Sequence, residues 1–384
     1  MNDATHAANA TGLKVVGQRP IRPDGADKVT GRAVFGADVH LPGMLIGRVK
    51  RSPHAHARIL RIDTSAARAL PGVKAVVTSD DFPRVGSEAL EQGEGSATLV
   101  DVADNCLARG KVLYAGHAVA AVAAVSSEVA ERALDLITVE YEVLPHVIDV
   151  EAAMAPDAPL LNERLFTAGV TPRPTTPSNI AQKTVVARGD VAKGFAAAEV
   201  VHEGRYVTVP VHQGYIEPHA CVAWAGADGQ HQIWCSSQGH FAVRAMCAKV
   251  LGLELRDIRV YPAEIGGGFG GKTTVYLEPV ALALSRQCGR PVRMVMSREE
   301  VFLASGPTSG GVVEVRLGAM KDGTIVAAEV TLKFQAGAFP GSPVGAGSMA
   351  ALACYAIEHA VVTGYDVVCN RPKVAAYRAP GAPI

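Results

Sequence analysis

The sequence predicts an α+β protein. Two observations carry this reading. Strand patterns and helical stripes are intermixed along the chain, and Asp322-Gly323 between two apolar runs marks a hairpin and therefore antiparallel pairing. With 384 residues, roughly two to four domains are expected.

Residues 1–20 read as a loose arm, and 33–39 and 45–50 read as strands. Ser126 and Ser127 offer N-caps to a helix over 127–137. There Val129, Ala133, Leu134 and Ile137 recur at helical spacing, and Glu128 and Glu131 sit near the positive end of the dipole. Val139-Glu140-Tyr141-Glu142-Val143 alternates apolar and charged residues as a half-buried strand does. These elements assign an α/β domain to 21–152. Prolines at 156, 159, 172, 174 and 177, mixed with Thr, Ser and Asn, mark a linker over 153–183. A second domain spans 184–384, with a strand at 231–235 and a helix from Gly239. Ala242, Met246, Val250 and Leu253 stripe that helix and Gly252 stops it.

Lys plus Arg and Asp plus Glu are both 37, for a formal charge of zero without charge blocks. Nucleic acid and anionic membranes are poor partners for such a chain. Its longest apolar runs, such as 118–125, fall far short of the ~20 residues of a spanning helix. Met1-Asn2-Asp3-Ala4-Thr5-His6 lacks a basic segment leading into an apolar one, so a cytoplasmic location is expected. Seven cysteines without a Cys-x-x-Cys pair argue against a zinc ribbon or an iron–sulfur cluster on this chain and read as mostly buried thiols. Only 19% of residues are charged and 48% are hydrophobic, which suits a surface covered by other subunits.

The sharpest local feature is Ile265-Gly266-Gly267-Gly268-Phe269-Gly270-Gly271-Lys272-Thr273-Thr274, between a strand-like run at 258–261 and a helix ending near Gly289. Without Cβ atoms such a backbone can approach a flat or anionic ligand closely. Taken literally, 266–273 also satisfies the P-loop pattern, which makes an NTPase an alternative. The acidic strand such an enzyme needs has one candidate, Ile325-Val326-Ala327-Ala328-Glu329. That run follows the Asp322-Gly323 hairpin signal and so belongs to an antiparallel pair.

Three motifs recur in order: Ser236-Ser237-Gln238 before a helix, the glycine loop through Lys272, and Ala376-Tyr377-Arg378-Ala379-Pro380-Gly381. Together they resemble the molybdenum-binding subunit of the xanthine dehydrogenase and aldehyde oxidase family. Thr30-Gly31-Arg32-Ala33-Val34-Phe35-Gly36-Ala37-Asp38 and Gly116-His117-Ala118-Val119-Ala120-Ala121-Val122 resemble its N-terminal hammerhead domain. Arg188-Gly189-Asp190-Val191, Glu217-Pro218-His219 and Arg290-Pro291-Val292 resemble its first molybdopterin-binding domain. The resemblance implies that Gln238 reaches an oxygen ligand of molybdenum. It likewise implies that Gly268, Phe269 and Gly270 line the cofactor, with the Phe269 and Gly270 amides beside the metal, and that Arg378 lies nearby. No residue of this chain is implied as a metal ligand, since the pterin dithiolene holds the molybdenum.

The family likeness further implies oxidation of an N-heteroaromatic or aldehyde substrate with water as oxygen source. The pterin is expected as a cytosine dinucleotide, with electrons leaving through [2Fe-2S] clusters and FAD on partner subunits. Thr273 stands where purine oxidisers carry glutamate, and no arginine lies between Arg316 and Arg371, so xanthine is a poor candidate. The Cys-Ser-Phe-Arg loop of carbon monoxide dehydrogenases is absent too, since Tyr377-Arg378-Ala379-Pro380 occupies that region. Family subunits continue well beyond the arginine motif with the glutamate that acts as general base. A split subunit completed by a second molybdopterin-domain chain, as in nicotinate dehydrogenase-like enzymes, is therefore expected, with a fragment as the other possibility. A non-catalytic scaffold subunit is a further alternative.

His54 and His56 lack a local third ligand, and His212, Glu217 and His219 are expected to form structural hydrogen bonds. His240 is expected either near the cofactor or at the helix start, and Glu278 has no evident catalytic geometry.

Overall fold

In the computed structural model, which describes residues 13–92 and 95–382, the first block of sequence supplies eight strands. They are β1 (Leu45–Arg51), β2 (Ala57–Asp63), β3 (Val73–Thr78), β4 (Ala89–Gln92), β5 (Gly95–Thr98), β6 (Lys111–Val112), β7 (Ala118–Ala124) and β8 (Thr138–Val143). The second block supplies β9 (Ile180–Arg188), β10 (Val200–Thr208), β11 (Ala220–Ala225), β12 (His231–Cys235) and β13 (Ile258–Pro262). Beyond them follow β14 (Val292–Val295), β15 (Gly311–Ala319), β16 (Ile325–Gly337) and β17 (His359–Val368).

Both blocks enter one seven-stranded sheet, ordered β13-β12-β11-β14-β1-β7-β3. β1 and β14 meet in parallel, with Leu45 opposite Val292 and Gly47 opposite Met294. Gly47 is required at this seam, because a Cβ there would meet the Met294 side chain. β7, built only of alanine and valine, is buried along its whole length. Its pleat sends Ala121 and Ala123 to one core and Ala120, Val122 and Ala124 to another. The helix Glu278–Cys288 packs on β11 and β3, and the helix Ser127–Asp135 packs on β1 and β7. Among the described residues, those from Phe35 onward accordingly form one compact unit, while those before it form a unit of their own, containing the helix Gly25–Thr30.

A second sheet, β10-β15-β16-β17-β9, belongs to the later block. The Asp322-Gly323 hairpin is present between β15 and β16, with Gly323 at φ +90°, while β16 and β17 run parallel. β2, β6 and β8 form a three-stranded sheet, and β4 pairs with β5.

Three expectations on elements need correction. Residues 33–39 are not a strand: Phe35 makes an isolated bridge to Glu264, and Gly36–Asp38 is a 3₁₀ turn. The Phe35 N–H donates to the Asp38 carboxylate at 3.0 Å, a local bond that competes with a sheet ladder. The helix capped by Ser126 ends at Asp135 rather than at 137. On the helix His240–Leu251, Ala242 is exposed, and Leu253 lies beyond the helix end and is not part of its stripe. The buried face carries Val243, Met246, Cys247, Val250 and Leu251, a rotation that hydrophobicity alone does not resolve between alanine and its apolar neighbours. Gly252 does end the helix, in left-handed conformation at φ 62°. Residues 1–12 of the expected arm lie outside the described residues.

Candidate functional site

Two loops leave the carboxyl ends of the adjacent parallel strands β12 and β13, whose last residues, Cys235 and Pro262, are paired. Such an edge is where open mixed sheets present ligand sites. From β12 comes Ser236-Ser237-Gln238, leading into the helix His240–Leu251; from β13 comes the glycine loop, leading into Glu278–Cys288. The Gln238 N–H and the Ser237 hydroxyl both donate to the Lys272 carbonyl, at 2.9 and 3.2 Å, and tie the loops together.

The glycine loop is pinned from below by Glu217. Its Oε2 accepts from the Gly266 N–H at 2.7 Å and from the Lys272 ammonium at 2.8 Å. Inside the loop the Gly271 N–H closes on the Gly268 carbonyl at 2.7 Å, and the Thr273 hydroxyl donates to the Gly270 carbonyl at 2.9 Å. Phe269 sits at φ 52°, as do Arg378 and Ala379 of the third segment at φ 33° and 51°, the strained left-handed region for non-glycine residues. These two strained stretches meet: the Arg378 N–H donates to the Phe269 carbonyl at 3.1 Å.

Gln238 is fixed end-on. Its Oε1 accepts from the Gly270 N–H at 2.8 Å and the Lys272 N–H at 3.3 Å. Only the oxygen of the carboxamide can accept, so Nε2 is the end left with two donors. A Cβ on Gly268 would lie 2.5 Å from that Oε1, and a Cβ on Gly270, at φ +103°, would lie 2.5 Å from the Ala376 carbonyl. The backbone N–H groups of Gly267, Gly268 and Phe269 have no acceptor among the described residues. The Gly270 N–H, by contrast, is engaged by Gln238. Three free amides and a carboxamide donor thus share the docked loop pair, and Arg378, whose residue is exposed, lies on the segment bonded to Phe269. Such a donor set suits an anionic, oxygen-rich group.

Behind the loop lies a neutral network. The Tyr215 hydroxyl lies 2.7 Å from His219 Nε2, 3.1 Å from the Ser305 hydroxyl and 3.4 Å from His212 Nε2. Burial lowers His219 to about 3 and His212 to about 4 and lifts Tyr215 to about 12. His212 and His219 are therefore structural hydrogen-bonding groups, while Glu217 is an ion-pair partner. Sequence patterns give no hint of Tyr215, or of Gln213, whose Nε2 donates to the Ala376 carbonyl at 2.9 Å across 163 residues of chain. His240 Nε2 lies 3.3 Å from the Cys235 carbonyl at the helix entry, and His240 lines a pocket together with Gln238. Glu278 is buried and accepts from the Tyr276 N–H, with its pKa raised by burial. His54 stacks edge-on against Tyr141, and His56 Nδ1 lies 2.7 Å from the Pro145 carbonyl. No group of three or more His, Cys, Asp or Glu suited to a metal ion occurs among the described residues.

The geometry is not that of a P-loop. There the lysine reaches phosphates at the start of the following helix, whereas here the Lys272 side chain is fully buried against Glu217 and the helix begins only at Glu278. Burial lowers the Lys272 pKa, and the Glu217 carboxylate opposes that shift. Beside the loop opens a cavity lined by Thr273, Thr274, Tyr276, Phe339, Lys373 and Ala376, with other residues of the same segments.

Residues 173–384 match the molybdopterin cofactor-binding domain family, and residues 30–145 match the a/b hammerhead domain family of aldehyde oxidase and xanthine dehydrogenase. The chain is 32% identical over 373 residues to the nicotinate dehydrogenase large molybdopterin subunit of Eubacterium barkeri, covering 96% of this chain and 83% of that one. It is also 34% identical over 341 residues to the carbon monoxide dehydrogenase large chain of Afipia carboxidovorans, covering 88% of this chain and 41% of the relative. Among solved structures it resembles quinoline 2-oxidoreductase from Pseudomonas putida 86, with TM-score 0.80 and 30% identity over 94% of this chain and 45% of that one. The chain thus spans most of the first of these relatives and less than half of the other two.

Proposed function

Since the chain belongs to the aldehyde oxidase and xanthine dehydrogenase family of molybdopterin-binding proteins, we propose that it forms part of a molybdenum hydroxylase. The enzyme oxidises an N-heteroaromatic or aldehyde substrate with water as the oxygen source. Its electrons pass to [2Fe-2S] and FAD subunits, and its pterin is the cytosine dinucleotide. When bound, the molybdenum–pterin group supplies a two-electron redox centre. Everything else is the work of side chains and amides.

One observation carries this reading: Gln238 Oε1 is held by two loop amides, so that Nε2 is left as a neutral donor, and the missing Cβ of Gly268 is what lets the carboxamide lie against the loop. A neutral donor orients an oxygen ligand without becoming a ligand itself. The free Gly268 and Phe269 amides would hold the anionic group, Gly270 fixes Gln238, and Arg378 would offset negative charge. Neither nearby glutamate suits a general base, because Glu217 is locked to Lys272 and Glu278 is buried behind the helix start. The base and the rest of the pocket wall come from a second molybdopterin-domain chain. Exposed Val200, Val201, Tyr206 and Val207 on the edge strand β10 fit such a partner. The hammerhead part is taken as 21–152 and the first molybdopterin-binding part as 184–384, joined by the linker 153–183. Free thiols, five of them buried, suit a cytoplasmic setting.

In the assembled complex, Gln238→Ala lowers turnover by about 10²-fold or more, as loss of a positioned donor does, while molybdenum content stays unchanged. Unaltered turnover overturns the role of Gln238. A complex without molybdenum overturns the functional reading and favours a scaffold subunit.

A further inference from the structure

The connection between β10 and β11 carries a side chain that the reading above leaves unused. Residues 211–217 run along the glycine loop and are tied down at both ends. The Thr308 N–H donates to the Val211 carbonyl at 2.8 Å, and the Glu217 N–H donates to the Gly266 carbonyl at 3.1 Å. Between these anchors Arg298 donates to the Tyr215 carbonyl at 2.9 Å. Gln213 stands on this strut and is 6% exposed. Its Nε2 donates to the Ala376 carbonyl at 2.9 Å, and that carbonyl has no other donor among the described residues.

Two glycines make room for the contact. A Cβ on Gly271 would lie 2.9 Å from Gln213 Cδ, and one on Gly270 would lie 2.5 Å from the Ala376 carbonyl oxygen. Two residues further on, the Arg378 N–H donates to the Phe269 carbonyl at 3.1 Å. The Arg378 segment is thus fastened to the loop and its strut by one backbone bond and one side-chain bond. Phe269, Arg378 and Ala379 all sit in the left-handed region, at φ 52°, 33° and 51°. Non-glycine residues stay there only where their surroundings over-determine the backbone, and Gln213 is a side chain placed to do so.

The other end of the carboxamide leads to the same conclusion. Gln213 Oε1 is buried without a partner among the described residues, and turning the amide over would set an acceptor against the Ala376 carbonyl. An orphaned acceptor costs stability. An apolar side chain of similar volume would fill the same space without that cost, so the donor is what the position requires.

We propose that Gln213 is a positioning residue of the loop site. Through the Ala376 carbonyl it holds the Arg378 segment against the glycine loop, and with it the left-handed backbone of Phe269 and Arg378. It acts through these backbones rather than on the bound group itself. The proposal rests on the loop being the cofactor site.

Gln213→Met, in the assembled complex, keeps the volume and removes the donor. Two quantities are compared with the parent at equal molybdenum content: amide exchange by mass spectrometry over 265–273 and 375–382, and the molybdenum paramagnetic resonance after reduction with dithionite. Protection of both segments is expected to fall about tenfold while that of β11 and β14 stays within about twofold, and the g-values are expected to shift. Unchanged protection in the two segments overturns the proposal. A loss shared equally by β11 and β14 also overturns it, because that marks a general packing role, and so does an unshifted resonance. Should Gln213→Met fail to fold, Gln213→Asn, which keeps the carboxamide and shortens its reach by one methylene, decides by the same comparison. A parent complex without molybdenum overturns the underlying functional reading instead, and exchange alone then decides whether Gln213 holds the two segments together.

Discussion

A single oxygen, Oε2 of Glu217, holds both ends of the glycine loop, since it accepts from Gly266 at the start and from Lys272 at the end. The Lys272 side chain is 0% exposed and that of Glu217 10%, so neither charge has water to fall back on. Glu217→Gln removes the counter-charge and leaves an ammonium buried. The expected cost is about 3–5 kcal/mol of unfolding free energy. The double change Glu217→Gln/Lys272→Met removes both charges together and recovers most of that loss, because a buried pair contributes little beyond a packed apolar replacement. Urea unfolding of the three proteins checks this. A Glu217→Gln protein within about 0.5 kcal/mol of the parent, the range of ordinary surface changes, contradicts the pinning of the loop. Lys272 thus has the sequence signature of a phosphate ligand and the surroundings of a structural clamp. Pattern alone could not separate the two, because the deciding carboxylate lies 55 residues away in the chain.

His117 joins three elements. It precedes β7, its Nε2–H donates to the Asp104 carbonyl at the end of the helix Leu99–Cys106, at 2.7 Å, and its Nδ1 accepts from the Leu113 N–H after β6, at 3.2 Å. Both nitrogens are satisfied only in the neutral ring, and burial brings its pKa to about 4 from the ordinary 6.5. The unfolded chain therefore takes up this proton first. The stability His117 contributes is complete above pH 6.5 and is lost as pH falls towards 4. Between pH 7.5 and pH 5 the loss amounts to about 2 kcal/mol from this ring. His117→Gln is expected to melt lower than the parent at pH 7.5 and to fall less steeply towards pH 5; parallel Tm profiles would contradict the assignment. At this scale the sequence was informative where local chemistry decides. Ser126 as a cap, Gly252 as a stop and Asp322-Gly323 as a turn all appear as read. It was misleading at 33–39, where a run with strand character is bent by the Asp38 carboxylate and by the fit of Gly36 against the Ala220 carbonyl. The motif residues around Gln238 were legible as types, whereas the bond that takes up the Gly270 amide depends on how two distant loops dock.

The seven-stranded sheet interleaves the two sequence blocks, and that has a consequence for how the chain folds. β1 lies between β14 and β7, so a polypeptide ending in the linker exposes the β1 edge and loses the helix Glu278–Cys288 that covers β3. A polypeptide starting after the linker exposes the β14 edge and strips the same helix of its β3 and β7 contacts. The core on that face draws Leu45, Val77, Ala121 and Ala123 from the first block and Ile233, Leu282, Val292 and Met294 from the second. Neither half retains enough of it to offset the entropy of ordering its strands. Cleavage between Pro174 and Thr175 falls before β9 begins at Ile180 and leaves every strand whole. Fragments 1–174 and 175–384, expressed apart, are expected to show no cooperative melt and no dispersed amide spectrum. Expressed together, they are expected to copurify and to melt in one transition near that of the intact chain. A fragment 1–174 that melts cooperatively alone would contradict this and make the hammerhead part an autonomous domain. If the halves fold only together, the loops at the ends of β12 and β13 inherit their geometry from strands on both sides of the linker. Changes in β1 or β7 then register at Gln238 through the sheet that carries both.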